Sequence, residues 1–502
     1  MNIKRAKQEI KDTIAAYLKK DEFGAYVIPS IRQRPLLLIG PPGVGKTQIM
    51  EQISQECRIG LVAYTITHHT RQSAIGLPFI EKKQYGQSMY QVTEYTMSEI
   101  VASVYDKIEQ TGIKEGILFI DEINCVSETL APAMLQLLQG KSFGNHRLPE
   151  GWIIAAAGNP PEYNKSVRDF DIVTLDRIRR LDVEPDYEAW KEYAAASEIH
   201  PAVQEYLSVR SQNFCRIETT VDGRLFATPR GWEDLSQLIQ VYETMRMPVD
   251  RELIQEYIQF PKIAKDFANY LELHYKYKED YQVDRILAGE ISEAAVDKLQ
   301  RASFDERISV VGLLLSGLNR EFARVSRMGR MMERRMRLFR DLKEKGLSVK
   351  AFSEMADGFQ EQLEREKEQG LVSRMDYRTG REVCACLEED LRALQNDGCT
   401  DEPQIWDLLR QRFGRDSDSY EALVQETGQK LEHGFDFMEA AFGGSQEMVL
   451  FVTELNTGFY SVEFLKEYSC GRYYQYNKNL LFSEGEQEIG EMISRMEKQG
   501  EL

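Results

Sequence analysis

Residues 36–47 read Leu36-Leu37-Leu38-Ile39-Gly40-Pro41-Pro42-Gly43-Val44-Gly45-Lys46-Thr47. A short apolar run breaks into a glycine-rich turn ending on Lys-Thr, and from Gln48 to residue 57 the spacing is that of an amphipathic helix. Strand, Gly-x-x-x-x-Gly-Lys-Thr and helix, in that order, is the context a phosphate-binding loop requires. The glycines let successive backbone N–H groups face one anion, and the helix N-terminus adds its dipole. This reading assigns Gly40, Pro41, Pro42, Gly43, Val44, Gly45, Lys46, Thr47 and Gln48 to the phosphate cradle of a nucleotide, with ATP and Mg²⁺ as the expected ligands. Lys46 is expected at the β- and γ-phosphates and the Thr47 hydroxyl on the metal. An ordinary Gly-Pro turn would need neither the flanking strand nor the helix.

The next element such a loop needs is a strand ending in acid. Gly116-Ile117-Leu118-Phe119-Ile120-Asp121-Glu122 supplies it about 75 residues downstream. Asp121 is expected to hold Mg²⁺ through water, and Glu122 to polarise the attacking water. A third apolar strand ends in Ala155-Ala156-Ala157-Gly158-Asn159-Pro160. A neutral amide at that point orients a water or senses a γ-phosphate without adding charge, although Asn-Pro is also a common turn. Two arginines follow, in Leu175-Asp176-Arg177 and in Thr228-Pro229-Arg230-Gly231. Guanidinium groups stabilise the charge that develops on a transferred phosphoryl group. Arg179 and Arg180 compete with Arg177 for that role.

These elements together make the chain resemble the MoxR-like AAA+ ATPases over residues 30–245. The resemblance rests on GPPGVGKT, ILFIDEIN (117–124), AAGNP (156–160), LDRI (175–178) and ATPRG (227–231). It implies that Asn159 is sensor 1, Arg177 an arginine finger reaching a neighbour's nucleotide, and Arg230 sensor 2. It also implies a ring homo-oligomer, a hexamer in that family, with chaperone-like work on a protein client and a partner carrying a von Willebrand factor A domain. Residues 76–96 and 141–151 match the places of the family's two inserted hairpins, which either line a ring pore or are ordinary surface hairpins.

Working outward, short apolar runs alternate with helical patterns up to residue 185. That alternation indicates an α/β module, a parallel sheet with helices on both faces. Residues 186–248 read as a lid of short helices, and residues 249–502 as a large, mostly α-helical C-terminal region that divides near 346. At 502 residues the chain exceeds one ordinary core. Its net charge of −18 is uneven. Residues 346–502 hold 32 Asp+Glu against 16 Lys+Arg, a net of −16, and leave −2 for the rest. The acidity argues against a general affinity for nucleic acid or anionic lipid.

Mean hydropathy is −0.45, and the run at 310–315 (VVGLLL) is too short to span a bilayer. The N-terminal decapeptide has charges but no apolar core like that of a secretory signal. The seven cysteines are scattered, without metal-ligand spacing, and read as reduced structural thiols. A cytoplasmic protein fits these features.

Residues 317–345 carry ten basic and four acidic side chains. Leu318, Phe322, Val325, Met328 or Met332, Met336 and Phe339 fall on one side of a helix there. Such a helix binds nucleic acid, an acidic partner or a membrane surface, or it docks on the acidic segment of its own chain; the last is the favoured reading. Three functions remain: a motor that remodels a protein client, a nucleotide-gated scaffold, and a DNA-directed motor, the last disfavoured by the acidity.

Overall fold

The alternating side chains of β-strands explain the sheet. In the computed structural model, which describes residues 1–66, 76–143, 145–163, 167, 170–221 and 223–478, the N-terminal part runs α1 (Ile3–Tyr17), β1 (Leu36–Ile39), α2 (Lys46–Cys57), β2 (Gly60–Thr65), β3 (Pro78–Tyr85) and β4 (Ser88–Tyr95). It continues with α3 (Glu99–Thr111), β5 (Gly116–Asp121), α4 (Ala131–Gly140), β6 (Ser142–Phe143), β7 (His146–Arg147), β8 (Trp152–Gly158), α5 (Ile172–Leu175) and β9 (Arg179–Asp182). Five strands pair in parallel in the order β2-β5-β8-β1-β9.

Leu36 and Leu38, Ile117 and Phe119, and Ile153, Ala155 and Ala157 share one face, where Ile10 and Ile14 of α1 and Ile49, Met50 and Ile53 of α2 cover them. The alternate residues Leu37, Leu118, Ile120, Trp152, Ile154 and Ala156 point to the other face, against Ile100, Val101 and Val104 of α3 and Met134, Leu137 and Leu138 of α4. Both faces are dry, so the strands are apolar throughout. Each fully buried Ile or Leu contributes about 1.5–3 kcal/mol relative to exposure.

The two expected inserts are hairpins. Strands β3 and β4 pair antiparallel from Pro78–Tyr95 to Tyr85–Ser88, and β6 pairs with β7. The longer hairpin leaves Ile80, Met89 and Tyr90 exposed.

The chain divides into two compact units. The first comprises the described residues of 1–189 together with 228–230 and 359–378. Within it, segment 359–378 packs on the helices of the α/β module: Arg58 Nη2 lies 3.2 Å from Glu366 Oε1. Lys107 Nζ donates to Gln369 O at 3.0 Å, and Gln369 Nε2 donates to Thr111 O at 2.8 Å. The last bond satisfies a carbonyl left open at the end of α3.

The second unit comprises residues 190–227 and 231–358 and the described residues from 379 onward. Its elements draw on α6 (Tyr187–Ala196), α7 (Pro201–Val209), β10 (Arg216–Thr220), β11 (Gly223–Ala227) and α8 (Pro229–Met245). Residues 186–245 are therefore not helical throughout. β10 and β11 form an antiparallel hairpin with Ile217 opposite Phe226, and two five-residue strands are too brief to show against a helical background.

Thereafter the unit is helical: α9 (Arg251–Tyr257), α10 (Pro261–Tyr281), α11 (Val283–Leu287), α12 (Glu293–Gln300), α13 (Phe304–Lys345), α14 (Val349–Gln369), α15 (Arg374–Asn396), α16 (Glu402–Phe442), α17 (Gln446–Thr457) and α18 (Phe459–Glu467). Asp401 caps α16 by accepting from Gln404 N, and Gly443, at φ 60°, ends it.

The 42-residue α13 runs through this core. Leu318, Phe322 and Val325 are buried with Phe435, Phe451 and Phe464, and Phe322 stacks on Phe464 at 4.7 Å. Further along, Met332 and Phe339 point inward but Met336 is 41% exposed. Arg335 takes the inward place instead. It is 1% exposed, as is Asp390, and its Nη2 lies 2.8 Å from Asp390 Oδ2. Asp416 Oδ2 accepts from its Nη1 at 2.5 Å, and Arg412 Nε reaches Asp390 Oδ1 at 2.6 Å. Lys430 pairs with Glu321, and Arg320 with Asp284. Of the basic residues of α13, Arg335 thus pairs with carboxylates of the acidic segment 346–502 and Arg320 with Asp284.

All seven cysteines are free thiols. No helix among the described residues is long and apolar enough to cross a membrane.

Breaking the buried pair is expected to cost more than removing it. Asp390→Ala leaves the Arg335 guanidinium with Asp416 as its remaining carboxylate partner and should lower stability to urea by about 1–3 kcal/mol, whereas Arg335→Met with Asp390→Leu should recover much of that loss. Equal stabilities for the two variants would contradict the assignment.

Candidate functional site

Strands β1, β5 and β8 are neighbours and parallel, so their carboxyl ends open on one edge of the sheet. The loop after β1 reaches the N-terminus of α2 through Gly43 and Gly45, both left-handed at φ 79° and 90°. Only glycine takes those angles without strain. Lys46 is the first helical residue of α2, and Ile49 N closes the first turn on Gly45 O at 3.0 Å.

The Lys46 ammonium is buried among neutral acceptors. It donates to Gly40 O and Pro41 O, each at 2.8 Å, and to Asn159 Oδ1 at 3.0 Å. Burial pushes its pKa down to about 8; Arg230 adds to the shift, while the Asp121 and Glu122 carboxylates oppose it. Beside it the Thr47 hydroxyl donates to Asp121 Oδ2 at 2.8 Å. A hydroxyl and a carboxylate side by side form a hard-oxygen pair suited to a divalent cation.

Glu122 follows at once, in the left-handed region at φ 56°, with its N–H bonded to Asp121 Oδ1 at 2.9 Å. A non-glycine residue held there costs about 1–3 kcal/mol, which the surrounding turn must offset. Arg230 stands over the loop from the other side: a Cβ built on Gly43 would lie 3.3 Å from the Cβ atoms of both Thr228 and Arg230.

The structure therefore brings together the loop of Gly40, Pro41, Pro42, Gly43, Val44 and Gly45 with Lys46, Thr47 and Gln48, and with Asp121, Glu122, Asn159 and Arg230. Arg177 has a different setting. It is exposed after α5 and hydrogen-bonds Gln139. Its two rivals are held elsewhere, Arg179 on Glu9 and Thr13 of α1 and Arg180 on Asp182 at 2.8 Å.

Sequence reasoning assigned no role to Asn124, although it lies in the quoted ILFIDEIN stretch. Its Nδ2 donates to Asn159 O at 2.7 Å. A polar residue in an otherwise apolar turn two places beyond Glu122 was the available signal.

Residues 36–175 match the model of the ATPase family associated with various cellular activities (AAA). The chain thus carries an AAA+ ATPase domain, a nucleotide-binding P-loop module, and the donors described above fit a nucleotide with a divalent cation. No curated protein matches the chain.

Nucleotide binding is expected to take up protons. In the free site Lys46 titrates near 8, so at about pH 8.5 it is mostly neutral; phosphate oxygens beside it raise its pKa and restore the charge. Titration calorimetry with a non-hydrolysable nucleotide, in two buffers of different ionisation enthalpy, should give more than half a proton taken up at about pH 8.5 and little at about pH 7. Affinity should weaken as pH rises above about 8. Zero uptake at both pH values would contradict the low Lys46 pKa.

Proposed function

We propose that this chain is an ATP-hydrolysing motor of the MoxR-like kind that works as a ring, expected to be a hexamer, and remodels or assembles a protein client. The observation that carries the reading is a buried lysine with only neutral bonding partners, Gly40 O, Pro41 O and Asn159 Oδ1, at the mouth of a loop and helix N-terminus built for anions. The cation awaits a negative partner, and a γ-phosphate supplies one.

Lys46 and the loop N–H groups bind and orient the phosphates. Thr47 and Asp121 hold Mg²⁺, which when bound neutralises charge on the phosphate oxygens. Glu122 polarises the attacking water and accepts its proton at the carboxylate. Asn159, already bonded to Lys46, orients that water through its amide, and Arg230 stabilises charge gathering on the transferred group.

Arg177 is assigned to a neighbouring subunit's nucleotide. What supports this is that its partner is a neutral glutamine, whereas Arg179 and Arg180 are engaged with carboxylates. Ring assembly and a von Willebrand factor A-domain partner follow from the resemblance in the Leu-Asp-Arg and Thr-Pro-Arg stretches.

Three variants test the reading. Lys46→Ala should abolish nucleotide binding. Glu122→Gln should bind normally while turnover falls by at least about a hundredfold, the scale of a lost general base; unchanged hydrolysis would sink the assignment. Mixing Arg177→Ala chains, which keep an intact site, with Glu122→Gln chains, which keep the arginine, should restore part of the turnover that each lacks alone. Failure to complement, or a monomer at every nucleotide concentration in light scattering, would reject the action in trans. A client should co-purify with the Glu122→Gln form, and a scaffold would differ by keeping its biological activity in that variant.

A further inference from the structure

Asn124 is 6% exposed and sits in the short 3₁₀ turn Ile123–Cys125, which Cys125 N closes on Glu122 O at 2.9 Å. Its Nδ2 reaches across to Asn159 O at 2.7 Å, and Asn159 Oδ1 in turn accepts from Lys46 Nζ at 3.0 Å. The other end of the amide is unsatisfied: Asn124 Oδ1 is buried with no hydrogen-bond partner among the described residues. It fits only because residue 158 is glycine, since a Cβ there would lie 2.5 Å from that oxygen. Facing a main-chain acceptor, the amide has only one favourable orientation, with its N–H toward Asn159.

The unpaired oxygen is a desolvation cost that a leucine of similar size would avoid. The same leucine would leave the Asn159 carbonyl without this donor. The donor end explains the asparagine.

We infer that Asn124 is a positioning residue: its amide ties the turn that carries Glu122 to the strand end that carries Asn159, and so fixes the spacing of the two groups that act on the attacking water. The inference rests on the hydrolytic reading of Glu122 and Asn159. Binding of nucleotide depends on Lys46 and the loop, and the hydrogen bond of the Asn124 amide goes to neither. Its loss therefore affects turnover rather than affinity.

The test uses the full chain, with Asn124→Leu, which removes both the donor and the orphan oxygen, and Asn124→Asp, which keeps the shape but replaces the donor with a carboxylate oxygen and so sets a negative charge against Asn159 O. ATP turnover, the Kd for a fluorescent non-hydrolysable ATP analogue and thermal melting are measured for each. Both variants should lose about tenfold or more in kcat, while Asn124→Leu should keep Kd within about threefold and melt close to the wild type, because the orphan oxygen it removes offsets the donor it takes from Asn159. In an Asn159→Ala background, which keeps the main-chain acceptor, adding Asn124→Leu should lower kcat by clearly less than it does in the wild type, because the Asn159 amide is no longer there to be misplaced.

Wild-type kcat in either variant, or full additivity with Asn159→Ala, would overturn the inference. So would a joint loss of kcat, affinity and melting temperature in Asn124→Leu, which marks a merely structural role. Absence of turnover in the wild-type chain fails differently, since it removes the hydrolase reading before Asn124 is considered.

Discussion

A parallel strand buried on both faces has no side chain to spare for chemistry along its length, so the chemistry gathers where the strand stops. In this chain three adjacent strands stop at one edge: β1 at Gly40, β5 at Asp121 and Glu122, β8 at Gly158 and Asn159. Their apolar sequences are set by the need to fill α1 and α2 on one side and α3 and α4 on the other. Parallel direction then aligns their carboxyl ends without any further instruction. The phosphate loop, the acidic pair and the amide converge because the sheet beneath them is dry on both sides.

That convergence has an electrostatic consequence. A lysine is taken out of water and given three neutral oxygens, so its charged form is disfavoured and its pKa falls to about 8. At neutral pH the buried charge lowers the stability of the first unit. Because the folded pKa is below the unfolded one, this loss fades as pH rises through about 8 toward the ordinary lysine range. The left-handed Glu122 and the unpaired Asn124 oxygen are further local costs within the same turn. Costs of this kind persist where the surrounding fold over-determines them, and they cluster at working sites.

The second unit solves a different problem with similar means. A helix of 42 residues with ten basic side chains from residue 317 onward would be a poor core element. It becomes one because Leu318, Phe322 and Val325 face the aromatic side chains of α16, α17 and α18, and because Arg335 is admitted to the interior with Asp390 and Asp416 in place. Each buried ion is tolerable only with its partner. The inward turn of Arg335 displaces Met336 to the surface, a trade that helical periodicity does not show.

Local rules determined a good deal from the sequence. The continuous apolar runs of the strands, the glycines and Lys46 of the loop and the acid at the end of β5 are all read from neighbours a few residues apart, and they named the α/β module, its loop and most of the candidate site. Tertiary structure alone decided what depends on residues far apart in the chain. It showed that Arg179 is spent on Glu9 and Thr13 while Arg177 is not. It showed that Gln369 caps α3, that Arg335 is buried, and that Asn124 reaches Asn159. Those facts rest on pairings of one polar group with another across tens or hundreds of residues, and periodicity carries no record of which partner a buried polar group will find.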